Sequence, residues 1–241
     1  MFSDYNTPWS EARQIIDEKH KFIRCFADHA AVFDLQTAQS CLSIGAGCGE
    51  SDAFIVSKLM PQLQRYIAVE PDKENIKELV PRVLDALQGR RCLELYHSRI
   101  EDAIDRIEGP VDVVLLLEVL YYIKDYETLL QRLKRLLKPG SKIVVSLLRS
   151  DSDVVRAVET LGLKTWQDVQ QVEALVKILY PNMKASYVSF ICTTDVRDTT
   201  IGAFSILTAN ADVGEEKLAK FKELFESPIT DYGIEIAIFE I

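Results

Sequence analysis

The sequence predicts an α/β fold: a seven-stranded, mostly parallel sheet with helices on both faces and an antiparallel strand at one edge. Three observations carry the expectation. Short β-rich runs alternate with helical patterns along the chain. The central runs are apolar at nearly every position, as strands covered on both faces are. A glycine-rich turn joins the first run to the helix that follows it.

The strands are expected at SCLSIGA (40–46), RYIAVE (65–70), CLELYH (92–97), DVVLLLEVL (112–120), KIVVSLL (142–148), SYVSFICTT (186–194) and EIAIFEI (235–241). Helical stretches with apolar residues three or four apart fall near 50–60, 72–88, 100–107, 125–137, 152–161, 166–179 and 214–226. The first forty residues read as a helical preface. Pro139-Gly140 is expected to end the fourth helix and release the fifth strand at once. The last two runs alternate more than the central ones, as an antiparallel pair at a sheet edge does. With no linker or repeat, the chain reads as one domain over 1–241: a helical lid (1–39), a ligand-binding core (40–148) and a substrate-side part (149–241).

Composition narrows the function. The 241 residues are 48% hydrophobic and 27% charged, an ordinary globular balance that supports a sizeable core. Twenty-eight Lys and Arg against 37 Asp and Glu give a net charge of −9, which leaves no basic field for a phosphate backbone. Nucleic acid is therefore not an expected partner. No apolar run is long enough to span a bilayer and MFSDYNTPWSEAR lacks the pattern of a signal peptide, so the expected location is the cytosol. The five cysteines (25, 41, 48, 92 and 192) are scattered without a CxxC or CxxH pair, and His20, His29 and His97 lack ligand spacing, so no metal is expected. Nothing in the sequence demands a second copy, and a monomer is the expected state.

The strongest local signal is LSIGAGCGESD (42–52). Gly45, Gly47 and Gly49 let the backbone turn tightly after a strand and leave no Cβ between the chain and a bound nucleotide. A dinucleotide fingerprint would place a further glycine at Glu50, where a carboxylate repels a pyrophosphate. The loop suits a cofactor without phosphate, of which S-adenosylmethionine, a sulfonium with an amino-acid tail, is the common one. Glu70, closing the second run in IAVEP, lies at the distance where an acid accepts the two ribose hydroxyls. Asn75, further along, meets either the ribose or solvent. Glu118 interrupts the apolar fourth run near the carboxyl end of the sheet, where open α/β sheets bind ligands. Buried and unpaired it would cost several kcal/mol, so it is paired, in a cleft, or already in water. Of Tyr121 and Tyr122, which follow, one is expected to be ordinary core.

Glycines after the first strand, an acid after the second and Pro-Gly before the fifth together resemble the class I S-adenosylmethionine-dependent methyltransferases, whose sheet is Rossmann-like. LSIGAGCGESD, AVEPDKENI, EVLYYIKD and TTDVRD are more narrowly similar to segments of the histamine N-methyltransferase family. The resemblance implies a donor site at Gly45, Ala46, Gly47, Glu50, Glu70, Pro71, Asn75 and Leu117, with Ile100 flanking the adenine. It implies an amine site formed by Glu18 on the amino-terminal helix, Glu118, Tyr121, Tyr122, Tyr5 and Trp9, with Tyr232 as a further substrate-binding residue. Glu18 and Glu118 would then attract the cation and take its proton. By pattern alone, Glu18 in IIDEKHKF also fits a solvated helix face, and Tyr5 and Trp9 fit either a lid or a loose terminus.

The chain departs from the family in three places. A glutamine of the fourth strand is Glu118, an asparagine before the last strand falls near Tyr232, and a tryptophan pair is missing, the only tryptophans being Trp9 and Trp166. The expected activity is methylation of a small amine, biogenic and either imidazole or aryl-ethyl in type. Three other readings stand beside it: transfer to oxygen or sulfur of another small molecule, transfer to a protein docked on the stripe Arg132, Lys134, Arg135, Lys138 and Lys142, or a fold retained for binding alone.

Overall fold

The computed structural model describes residues 17–89, 92–163, 167–208, 213–227 and 229–241. Tyr5 and Trp9 lie outside the described residues. The seven strands are β1 (Ser40–Ile44), β2 (Arg65–Val69), β3 (Cys92–Tyr96), β4 (Val111–Leu117), β5 (Leu137–Leu148), β6 (Lys184–Asp195) and β7 (Ile229–Glu240), and they form one sheet in the order β3-β2-β1-β4-β5-β7-β6. β1 pairs in parallel with β2 and β4, and β4 with β5. β7 runs antiparallel to both neighbours, β5 and β6. The expected antiparallel pairing thus closes one edge, with the last strand inserted between β5 and β6.

Period-two alternation divides the core into two layers. On one face Cys41, Tyr66, Ala68, Val113 and Leu115 pack against α1 (Glu18–Asp28), α3 (Glu50–Lys58), α4 (Lys73–Leu87) and α7 (Asp153–Thr160). Between α1 and α3 lies the single turn α2 (Ala30–Phe33), which ends at Asp34 in a left-handed conformation. On the other face Leu42, Ile67, Val114, Leu116 and Val145 pack against α5 (Ile100–Ala103), α6 (Tyr126–Leu133) and α8 (Val169–Leu179). Two further helices, α9 (Ile201–Leu207) and α10 (Glu215–Glu223), lie between β6 and β7; the first of them is not anticipated by the sequence pattern. Among the described residues no helix is long and apolar enough to cross a membrane.

Three boundaries move for identifiable reasons. The fourth strand stops at Leu117 because Glu118 has φ +53° and the chain then turns through a 3-10 segment at Leu120–Tyr122. Pro139-Gly140 does not cap a helix. The α6 helix ends at Leu133, Leu137 already pairs with Val111, and the two residues occupy a shift in register before Lys142 pairs with Val113. The last strand starts at Ile229, earlier than its apolar alternation suggests, so Tyr232 lies inside β7.

Candidate functional site

The connection leaving β1 runs to β2 on one side and the connection leaving β4 runs to β5 on the other, so the two part company at the carboxyl ends of these neighbouring strands. Open α/β sheets form their ligand crevice at such a reversal. A cavity of about 490 Å³ opens there, within the range of small-molecule sites. It extends from Glu70, Asn75 and Ile100 at the ends of β2 and β3, past the glycine loop, to Glu18, Lys19 and Glu118.

The loop between β1 and α3 is held by its backbone. Gly45 N–H and Ala46 N–H both donate to Val69 O, at 2.8 and 3.3 Å, which ties the turn to the end of β2. Gly45 has φ +68°, and a Cβ on it would stand 2.3 Å from Val119 Cγ2. Gly49, at φ +77°, precedes the first residue of α3, and a Cβ there would stand 2.5 Å from Leu79 Cδ1. The first glycine lets the loop close on the β4 turn and the last lets α3 pack on α4. Beside Gly47 a Cβ would meet nothing within 4 Å, so the backbone there borders open space in the cavity wall.

Glu70 is buried at the end of β2, 5% exposed. Its Oε2 accepts from Gly47 N–H at 2.8 Å and its Oε1 from Asp72 N–H at 2.9 Å, with Asn75 Nδ2 at a long 3.4 Å. Burial raises its pKa against the lowering effect of these donors. A carboxylate offers about four acceptor sites, so Oε2 keeps one and the weak Asn75 contact marks another.

At the far end, Glu118 sits on the turn after β4. Its N–H donates to Ser146 Oγ at 3.0 Å, and its Oε2 accepts from Tyr121 O–H at 3.1 Å. Its Oε1 is buried with no hydrogen-bond partner among the described residues. Glu18, in the first turn of α1, accepts from Tyr232 O–H at 2.9 Å. The neighbouring Asp17 fixes this end of α1 to β6, where its Oδ1 accepts from Thr193 N–H at 2.7 Å. Burial and the nearby Glu18 charge push the Glu118 carboxyl up to about 8, and burial raises Glu18 as well. Desolvation disfavours the charged form of each, and each disfavours the charge of the other.

Gly45, Ala46, Gly47, Glu70, Pro71, Asn75, Ile100, Leu117, Glu18, Glu118 and Tyr122 all border this one cavity. Three other residues singled out in the sequence do not. Glu50 starts α3 outside the lining, near enough to Arg82 for its charge to raise that guanidinium's pKa. Tyr121 packs between the two core layers, with its hydroxyl shared between Glu118 and Leu148 N–H. Tyr232 is 1% exposed and meets the cavity only through the Glu18 carboxylate. The basic stripe is engaged internally: Arg132 pairs with Asp105, Lys138 with Asp112 and Lys142 with Asp34, Arg135 bonds Ile104 O, and Lys134 lies over the Tyr180 ring.

Sequence reasoning missed Lys19, Phe22, Ser51 and Asp52, which also border the cavity. Asp52 is buried beneath it, accepting from Tyr66 O–H at 2.5 Å, and desolvation raises its pKa. Its place two residues after Glu50 in the first turn of α3 was the available signal. For Phe22 there was none beyond its four-residue spacing from Glu18, and for Lys19 there was none.

A glycine loop at the sheet reversal, an acid closing β2 and a cavity with carboxylates at both ends suit a nucleoside-bearing, cationic ligand. A family model described as a methyltransferase domain matches residues 12–180, and the chain belongs to that family. Among curated relatives, histamine N-methyltransferase of Rattus norvegicus is 25% identical over 190 residues, 70% of this chain. The match spans 63% of the rat enzyme's length. The Bos taurus enzyme of the same name is 24% identical over 231 residues, covering 83% of this chain and 77% of that one.

Solved structures share the fold. The YcgJ protein of Bacillus subtilis superposes with a TM-score of 0.60 at 12% identity, covering 91% of this chain and 97% of its own. The plantazolicin methyltransferase BpumL, solved with a monoazolic desmethylPZN analog and SAH, gives a TM-score of 0.56 at 16% identity, covering 99% and 90%. The cavity fits the donor on its own terms. It has open space beside Gly47, spare acceptor capacity on Glu70, and acidic groups that tolerate a sulfonium.

Proposed function

We propose that the chain methylates a nitrogen of a small amine, with Glu70, Pro71, Asn75, Ile100, Leu117 and the glycine loop holding the donor and Glu18 and Glu118 receiving the acceptor. The observation that carries this reading is the pair of carboxyls, each braced by a tyrosine hydroxyl, at one end of the cofactor cavity. The similarity to histamine N-methyltransferases supports the amine class.

Bound S-adenosylmethionine supplies an electrophilic methyl group whose bonding electrons leave with the sulfur. What remains for the protein is to hold a nitrogen in line and free its lone pair. An ammonium entering between the carboxyls lowers their pKa values and draws them into the charged form. The Glu118 carboxylate, which borders the cavity, is the group that accepts the substrate's proton. Glu18, held by Tyr232, orients the cation from the opposite wall, and the Tyr122 ring contributes its negative face.

The test is mass spectrometry of reactions containing isotopically labelled donor and a panel of amines that includes histamine and aryl-ethylamines. A labelled N-methyl product is expected. Label appearing only on alcohols, thiols or proteins would overturn the amine reading while leaving the donor site intact.

A further inference from the structure

The acidic end of the cavity contains one lysine, and its position is unexplained by the roles given so far. Lys19 follows Glu18 on α1, borders the cavity, and lies close enough to Glu18, Glu118 and Asp52 to lower the pKa of each. Among the described residues it takes no part in an ion pair. Its Nζ instead points across to Ser51 Oγ, 3.4 Å away, in the first turn of α3 just past the glycine loop.

With the donor's ribose at Glu70, as proposed above, its amino-acid tail would reach along the loop toward Ser51 and Asp52. That tail ends in a carboxylate. The three carboxyl groups at this end offer it no positive charge, and the other cation of the lining, Arg99, lies at the opposite end beside Ile100. An anion entering there needs a compensating positive group.

We infer that Lys19 and Ser51 form the seat for the carboxylate of the donor's amino-acid tail. The assignment rests on the donor-site reading above and adds a specific consequence. The helix that presents Glu18 to the acceptor also closes over the donor, and adjacent residues of α1 serve the two ligands.

Calorimetry with two ligands tests it: S-adenosylhomocysteine, and the analogue whose tail has hydrogen in place of the carboxylate. The wild-type chain is expected to bind the first more tightly. Lys19→Met is expected to weaken S-adenosylhomocysteine by at least about tenfold, the size of one charge-assisted contact, while binding the descarboxy analogue as well as before or better. Lys19→Arg should restore most of the difference. Unchanged affinity for S-adenosylhomocysteine in Lys19→Met, or equal weakening of both ligands, overturns the assignment. If the wild type bound neither ligand, the donor site itself would be misplaced and the assignment would fall with it.

Discussion

The two ends of the cavity are built differently. The glycine-loop end, proposed to hold the donor, is assembled from successive βα turns, and its key contacts join nearby parts of the chain: Gly47 N–H reaches Glu70 across 23 positions, and Asp72 N–H across two. The acceptor end joins remote parts. Glu18 and Glu118 are a hundred positions apart, and the Tyr232 hydroxyl that braces Glu18 comes from 214 residues away. The first end depends on backbone geometry and hydrogen bonds, the second on buried charge. On the proposed reading, the two ligands are thus held by two different kinds of construction on one sheet.

The largest expected effect lies at the donor end. Gly45→Ala places a Cβ 2.3 Å from Val119 Cγ2 at a positive φ, so the loop must move. A loss of roughly 1–3 kcal/mol from backbone strain alone is expected, visible as a lower melting temperature together with weakened S-adenosylhomocysteine binding by calorimetry. Adding Val119→Ala should relieve the clash but not the strain, and full recovery in the double variant would show that conformation contributes nothing. Next in size, Glu70→Ala should weaken the donor by about tenfold or more, as loss of a charged acceptor does, without altering amine affinity. Normal donor affinity in that variant would erase the division between the two ends.

At the acceptor end, Glu118→Gln should leave donor affinity within about twofold and change kcat/KM for the amine. In the wild type kcat/KM should rise with pH through a pKa well above the ordinary carboxylate range, since the proton-accepting form of Glu118 appears only there. The variant should lose that rise. Stability carries the same signature with the opposite slope. The folded-state pKa is raised, so the native state binds a proton that the unfolded chain releases near the usual pKa of about 4.3. Wild-type stability should fall as pH increases from there toward about 8, and Glu118→Gln should flatten the decline. A steeper decline in the variant, measured by denaturant titration at several pH values, would contradict the buried-charge account.

The smallest effect is expected from Tyr232→Phe, which removes one hydrogen bond worth about 1 kcal/mol from Glu18. The KM for amine should rise by roughly fivefold with donor affinity unchanged. An equal loss of donor binding would mean that the tyrosine holds α1 as a whole.

The same contrast decides what could be read in advance. Gly45, Gly47 and Glu70 were legible because a tight turn after a strand and an acid closing the next strand leave a local pattern. Glu118 was legible as an anomaly, a charge in an apolar run, but its positive φ and its place on a turn were not. Tyr121 and Tyr122 were indistinguishable as letters; the 3-10 turn sends one into the core and the other to the cavity.

Short-range periodicity and backbone requirements made three features legible from the letters alone: the α/β class, the glycine turn after the first strand and the acid that closes the second. The insertion of β7 between β5 and β6, the lie of α1 over the cavity and the meeting of Glu18, Lys19 and Glu118 there became visible in the folded chain alone. Those outcomes depend on packing between segments far apart in the chain, and side-chain spacing along one segment carries no information about which distant surface it will cover.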